Sequence, residues 1–182
     1  MPAAEGPLAM GQFTAPGEVP PALRRALADC WIAVTDAGGA AGFPFPPVGP
    51  GEVVPAVGRL VSGLAPATSR LLAASLGGEL AGWLHVRRDP ARLVAHWGTL
   101  HHVQIRPELR GSGIGGALTG YVRQVAREEM GLEQLHLAAR GGEGLEKFYG
   151  RLGWQESGRR PGVLRFGPGD DRDEVLMHLA PL

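Results

Sequence analysis

Residues 101–117 read His-His-Val-Gln-Ile-Arg-Pro-Glu-Leu-Arg-Gly-Ser-Gly-Ile-Gly-Gly-Ala, and few other parts of the chain are built for chemistry. Four glycines, Gly111, Gly113, Gly115 and Gly116, lie within six residues just ahead of an apolar stripe at helical spacing. Glycines let the backbone approach a ligand and aim successive N–H groups at one point. A helix that opens there adds unpaired donors and the positive end of its dipole. Together these make a cradle for phosphate or diphosphate, with Arg110 beside it for a charge-assisted contact. The anion is not bound as in a nucleotide triphosphatase loop, because no Lys follows the glycines. The spacing also misses the dinucleotide fingerprint.

Proton-transfer chemistry has fewer candidates. The strand feeding the turn carries no carboxylate, but it carries His101 and His102, whose type suits a general base near neutral pH. Strand alternation places them on opposite faces, so one of them at most would line a cleft. His102 would share its face with Leu100 and Gln104, and His101 with Thr99 and Val103. Both stand ahead of His85 and His96. Diverging strand histidines with no acidic residue among them argue against a metal site.

Positioning elements surround this stretch. Residues 22–35 and 52–64 show helical periodicity, the second with Val54, Val57, Leu60, Val61 and Leu64 on one stripe. Between them, residues 38–51 are too rich in Pro and Gly for regular structure, yet carry Phe43 and Phe45. Runs 70–76 and 80–87, joined by Gly77–Gly78, read as a hairpin. A further strand fills 92–105, and Ile114, Ala117, Leu118, Tyr121, Val122 and Val125 mark the helix after the Gly turn. A strand at 135–138, a short helix at 144–152, and final strands at 154–158 and 174–179 complete the order. Strands alternating with helices imply an α/β (α+β) fold, a mixed central sheet flanked by helices. Residues 1–18 show no periodicity and are expected to fray as a flexible extension, leaving 19–182 as one domain.

Three segments resemble one family. Arg110-Gly-Ser-Gly113-Ile-Gly115 is similar to the R/Q-x-x-G-x-G/A signature of the GNAT superfamily of acyl-CoA N-acyltransferases. Phe148-Tyr149-Gly150-Arg-Leu-Gly153-Trp154 resembles the superfamily's F-Y-x-x-L-G-F element, and residues 173–177 its usual last strand. The resemblance covers roughly residues 69–182 and is loosely closest to stand-alone bacterial small-molecule enzymes. It implies a sheet that splays open at the cofactor strand. It also implies that Val103, Gln104 and Ile105 pair with the pantetheine arm of acetyl-CoA, and that the N–H groups of Arg110, Gly111, Ser112, Gly113, Ile114, Gly115 and Gly116 take its pyrophosphate. Tyr149 becomes the general acid for the departing thiolate, with His102 or His101 as the base. The activity implied is acetyl transfer from acetyl-CoA to a primary amine of a small molecule or peptide. A non-catalytic acyl-CoA-binding module is the alternative, motivated by the missing strand carboxylate.

Bulk composition sets outer bounds. Across 182 residues, 18 Lys+Arg balance 18 Asp+Glu, so no global field draws the chain to nucleic acid. No apolar run is long enough to span a membrane. One cysteine, Cys30, fits a reducing cytoplasm and excludes a CxxC metal site. A homodimer is compatible with all of this.

Overall fold

Leu71, Ala73, Leu80 and Trp83 are apolar and β-compatible, and each is buried in a cluster with Leu27, Trp31 and Val34 and with Val53, Val57 and Val61. The computed structural model describes residues 6–39, 42–43 and 46–182. Its strands are β1 (Leu8–Phe13), β2 (Ser69–Leu76), β3 (Glu79–Arg88), β4 (Trp97–Ile105), β5 (Gln134–Arg140), β6 (Gln155–Gly167) and β7 (Asp170–Leu179). Its α-helices are α1 (Pro21–Asp36), α2 (Pro50–Ser62), α3 (Ile114–Glu128) and α4 (Leu145–Arg151). The seven-stranded sheet runs β1-β2-β3-β4-β5-β7-β6, mixed and mostly antiparallel.

The chain divides into two compact units, Met1–Arg87 with His101–Val122 and Arg88–Leu100 with Arg123–Leu182. In the first, β2 and β3 pair antiparallel around the Gly77–Gly78 turn, as the sequence leads one to expect. Apolar residues recur along α1 and α2 every third or fourth position, and that stripe packs on Leu71, Ala73 and Trp83. The rings of Trp31 and Trp83 meet edge to face at 5.3 Å. The Pro/Gly-rich connection from α1 to α2 is tied down where Asp36 accepts the Val48 N–H at 3.0 Å. Phe43 meets Trp31 edge to face at 5.3 Å, whereas Phe45 lies outside the described residues.

One expectation fails here. Residues 8–13, placed in the fraying extension 1–18, form edge strand β1 and pair in register with β2 from Leu8↔Leu76 to Phe13↔Leu71. Glu18 fixes the far end by accepting the Thr14 N–H at 2.6 Å and the Ala15 N–H at 3.2 Å. The segment LAMGQF hid because it is half exposed and lacks β-branched residues, so no alternation shows.

In the second unit, Leu135, Leu137 and Ala139 of β5 and Val175, Met177 and Leu179 of β7 are buried. These strands pair antiparallel. Strand β6 runs well past the expected end at 158, through Pro161 and Gly162. Its outer position tolerates a proline, which removes no bond from an inner ladder. Arg160–Glu174 (2.7 Å) and Arg165–Asp171 (2.7 Å) bridge it to β7. Such exposed pairs add little stability each, but their placement matches the strand register.

Gly82 marks the tightest approach in the first unit. A Cβ there would stand 2.5 Å from Ile105 Cδ1 and 2.6 Å from the Gln104 carbonyl oxygen. We therefore expect Gly82→Ala to destabilise the fold by about 1–3 kcal/mol through forced movement of β4. Denaturant unfolding measures it, and a change near zero would show that β4 shifts freely.

Candidate functional site

The turn after β4 is built from short-range constraints. Arg106 N–H donates to the Ala81 carbonyl at 2.9 Å and ends the strand. A 3-10 turn over Pro107–Leu109 follows, and Leu109 N–H donates back to the Arg106 carbonyl at 2.9 Å. Gly111 and Gly113 then take φ values of +80° and +87°, a region that strains residues with a Cβ. The left-handed turns swing the chain into α3, whose first ladder bond is Ala117 N–H to the Gly113 carbonyl at 3.0 Å.

As a result, the N–H groups of Gly111, Gly113, Ile114, Gly115 and Gly116 make no hydrogen bond among the described residues. Nothing lies within 4 Å of a Cβ built on Gly111 or Gly113, so the mouth of the helix is open. Ser112 does not plug it, because its hydroxyl donates to the Leu109 carbonyl at 2.6 Å. Arg110 is exposed at the rim and makes no ion pair among the described residues. Five free amides at a helix entrance, with a cation beside them, fit a diphosphate.

Strand β4 departs from regular geometry just upstream. Its parallel ladder with β5 sets Trp97, Gly98 and Thr99 against Gln134, Leu135 and His136 and extends no further, although β4 runs on to Ile105. His102 has φ +55°, the one non-glycine in the left-handed region among the described residues. Such a backbone costs about 1–3 kcal/mol and concentrates at functional sites.

That kink overturns the expected alternation of the two histidines. Trp83 and His85 are two apart on β3 and share a face. His102 lies against Trp83 at 5.8 Å and His101 against His85 at 6.1 Å, so both imidazoles stand on that same face. They are 6.1 Å from one another. Trp31 covers His102 at 4.6 Å, and a methyl on Gly42 would come within 3.8 Å of His102 Cε1. No glycine stands at position 102 to mark the kink, although glycine is the residue that most plainly announces a positive φ.

All three imidazoles are held below their ordinary range. Burial takes His85 from 6.5 down to about 3 and His102 to about 4, and mutual repulsion adds to both. Burial also lowers His101, with the charge of Arg87 as a second cause. They are therefore neutral near pH 7 and free to accept a proton. Among the described residues no group of three or more His, Cys, Asp or Glu is disposed to hold a metal.

The other named residues are placed as follows. Val103, Gln104 and Ile105 form the last turn of β4 before the glycines. Gln104 is 1% exposed, with Oε1 and Nε2 both buried and unpartnered among the described residues. Tyr149, in the second unit, is a buried residue of α4, edge-on to Phe148 at 5.0 Å and Trp154 at 5.7 Å. Burial raises its pKa, so the phenol keeps its proton across the physiological range. Cys30 is also buried, and burial pushes its thiol up to about 11, away from nucleophile chemistry.

These histidines also set an acid sensitivity. The folded chain resists protonating His85 and His102 until about pH 3–4, while the unfolded chain takes up protons from about 6.5 downward. Stability therefore falls as pH drops through that window, by at most about 1.4 kcal/mol per unit for the buried His85 and by less for the part-exposed His102. Melting temperature should decline steadily from pH 7 to 5, and His85→Phe should flatten the slope. A wild-type curve that stays level would contradict the buried neutral state.

Comparison with known proteins supplies the class of chemistry. A sequence model described as the acetyltransferase (GNAT) family matches residues 26–154. No curated protein matches the sequence. The fold is similar to that of a GNAT-family acetyltransferase from Streptococcus pneumoniae, with TM-score 0.72, 18% identity, and 96% of this chain and 99% of that one covered. It is also similar to an aminoglycoside 6'-N-acetyltransferase complexed with coenzyme A, with TM-score 0.69, 15% identity, and 94% and 96% covered. The ribosomal-protein-alanine N-acetyltransferase from Escherichia coli gives TM-score 0.69 at 15% identity, with 96% and 94% covered. The sequence match spans well over half the chain: this chain belongs to the GNAT acetyltransferase family.

Proposed function

We propose that this protein moves an acetyl group from acetyl-CoA to a primary amine of a small molecule or peptide, by direct attack of the amine on the thioester. The observation that carries this reading is the run of unpartnered amides at Gly111 and Gly113–Gly116, open to solvent at the entrance of α3. A side chain at Gly111 or Gly113 would fill the space those amides address. The residues present thus fit the cosubstrate's diphosphate.

Acetyl-CoA supplies an activated acyl carbon on a leaving thiolate, and the protein's own groups do the rest. The amides of Gly111 and Gly113–Gly116, with the Arg110 side chain, grip the diphosphate, while the Arg110 and Ser112 amides stay bonded to the Pro107 and Leu109 carbonyls within the turn. The backbone of Val103, Gln104 and Ile105, beyond the β4–β5 ladder that ends at Thr99, pairs with the pantetheine arm as a strand edge pairs with an extended peptide. Tyr149 gives its proton to the departing sulfur, a role its protonated state supports. His102 or His101, neutral and partly accessible, takes the proton that the amine loses. The high thiol pKa of Cys30 favours direct transfer over an acyl-cysteine route. The lone buried cysteine suits a reducing compartment, and we take the cytoplasm as the place of action.

The test is a screen of amines for coenzyme A thiol release, paired with amide exchange. Acetyl-CoA should raise the melting temperature and protect the amides of residues 111–116. Absence of both effects would defeat the reading. Binding without thiol release from any amine would favour the non-catalytic acyl-CoA-binding module, to which the carboxylate-free β4 lends support.

Two variants follow. Tyr149→Phe should lower kcat by about 10²-fold while leaving the KM for acetyl-CoA within a factor of about two; a variant at wild-type rate would remove Tyr149 from the acid role. Gly113→Val should cost about 1–3 kcal/mol through strain at φ +87° and weaken acetyl-CoA binding sharply. Isothermal titration reads the second effect, and unchanged affinity would separate the turn from the cofactor.

A further inference from the structure

Residues 37–49 join α1 to α2, and the connection is held at both ends. Gly39 N–H donates to the Val34 carbonyl at 2.8 Å, and Val48 N–H donates to Asp36 at 3.0 Å. Between these ties Phe43 is only half-buried, although Trp31 and Trp83 next to it are buried. Its ring meets Trp31 at 5.3 Å, and Trp31 in turn covers His102 at 4.6 Å. His102 is also half-buried, and Gly42 beside it is exposed. A Cβ on Gly42 would meet His102 Cε1 and Trp31 Cζ2 at 3.8 Å and nothing else within 4 Å among the described residues. An open, aromatic-walled space therefore adjoins the imidazole.

The charge around that space is one-sided. Among the described residues of the first unit, Glu18 accepts the Thr14 and Ala15 N–H groups, Asp36 that of Val48 and Glu52 that of Gly49. Glu108 lies 3.6 Å from Arg106, and Asp29 and Glu79 are exposed on α1 and at the start of β3. No carboxylate acts electrostatically on His101 or His102, and the one charged side chain that does is the cation Arg87, on His101. A second ammonium group on the acceptor would lose water here and gain no partner. An apolar ring or chain gains instead, from contact with Phe43 and with the open edge of His102.

We propose that the acceptor is an apolar monoamine, one amino group on an aromatic or aliphatic body, and that Phe43 is the residue that selects it. The proposal rests on the N-acetyltransferase reading above and names the acceptor class for it. The amino group stands at His102, and the body packs against Phe43 in the space that the missing side chain of Gly42 leaves. Transfer forms the C–N bond and breaks the C–S bond, while the nitrogen loses one proton and the thiol gains one. The product is a neutral amide, which an uncharged wall can hold and release. Polyamines and amino sugars meet no carboxylate for their further charges.

The experiment measures thiol release by the full chain with 2-phenylethylamine, 1,4-diaminobutane, spermidine and phenylalanine, the last sharing the ring but adding a carboxylate. Wild-type kcat/KM should be about tenfold or more higher for 2-phenylethylamine than for the other three. Any of the three matching or exceeding it overturns the proposal. Phe43→Ala should raise the KM for 2-phenylethylamine about tenfold and leave that for acetyl-CoA within about twofold, and Phe43→Leu should restore most of the loss. Phe43→Asp should turn the ranking toward 1,4-diaminobutane, because it supplies the missing negative charge. An unchanged KM for 2-phenylethylamine in folded Phe43→Ala overturns the role of Phe43. If the variants melt below the assay temperature, the wild-type ranking decides. Release with no amine at all overturns the N-acetyltransferase reading and this proposal with it, whereas release that favours the diamine, spermidine or phenylalanine overturns this proposal alone.

Discussion

Backbone N–H and C=O groups inside a sheet must be paired, and strand β4 is the element on which that constraint bears most directly. Its ladder with β5 covers three residue pairs, and the strand kinks further on at His102. The kink has a conformational cost, and the ring contacts of His102 with Trp31 and Trp83 hold it in place. The last three residues of β4 lead from the kink to Arg106, whose bond to Ala81 anchors the strand end from which the glycine turn departs. Gly82 keeps that anchor close, because a larger residue would collide with Ile105 and the Gln104 carbonyl.

The same kink explains what could be read from the sequence and what could not. The glycine turn was legible because its demand, a positive φ with free amides, is met by one residue type, and Gly111 and Gly113 advertise it. Helices α1, α2 and α3 were legible because burial imposes a period near 3.6 on Leu27, Trp31 and Val34 and on Val53, Val57 and Val61. The face shared by His101 and His102 was not, because one kinked residue redirects a side chain without changing composition. Strand β1 was hidden for a related reason. Its pairing with β2 comes from the backbone, and the fold specifies it through Glu18 and the neighbouring strand rather than through its own side chains. Strand β6 ran past its expected end because Pro161 and Gly162, which read as a break, are tolerated on an outer strand laddered to β7.

Electrostatically, burial controls the chemistry-bearing groups that charge partners control in many active sites. Desolvation is the largest cause of the shifts at His85, His101, His102, Tyr149 and Cys30. It leaves the imidazoles unprotonated and keeps the phenol and thiol protonated, so that near neutral pH each stays uncharged. A base of low pKa is weak toward an alkylammonium ion in water. It is adequate toward an amine nitrogen already committed to an acyl carbon, which sheds its proton far more readily. A carboxylate on β4 is therefore not a requirement of the reaction, provided that the proton has somewhere to go.

That proviso is where the fold and the chemistry meet. Proteins of similar fold bear names as unlike as aminoglycoside and ribosomal-protein-alanine N-acetyltransferase. Within this chain, several polar groups lack partners among the described residues: the amides at Gly111 and Gly113–Gly116, His85 Nε2 and the Gln104 side-chain amide. Leaving a buried imidazole nitrogen and a fully buried Gln104 amide without partners is destabilising, and a chain selected for stability alone would replace them. Their cost is offset by the apolar cluster around Trp31 and Trp83, which is buried almost completely and which also braces the kinked strand. The buried aromatic cluster thus braces the kinked part of β4, and removing an aromatic side chain there would loosen the site before it unfolded the protein.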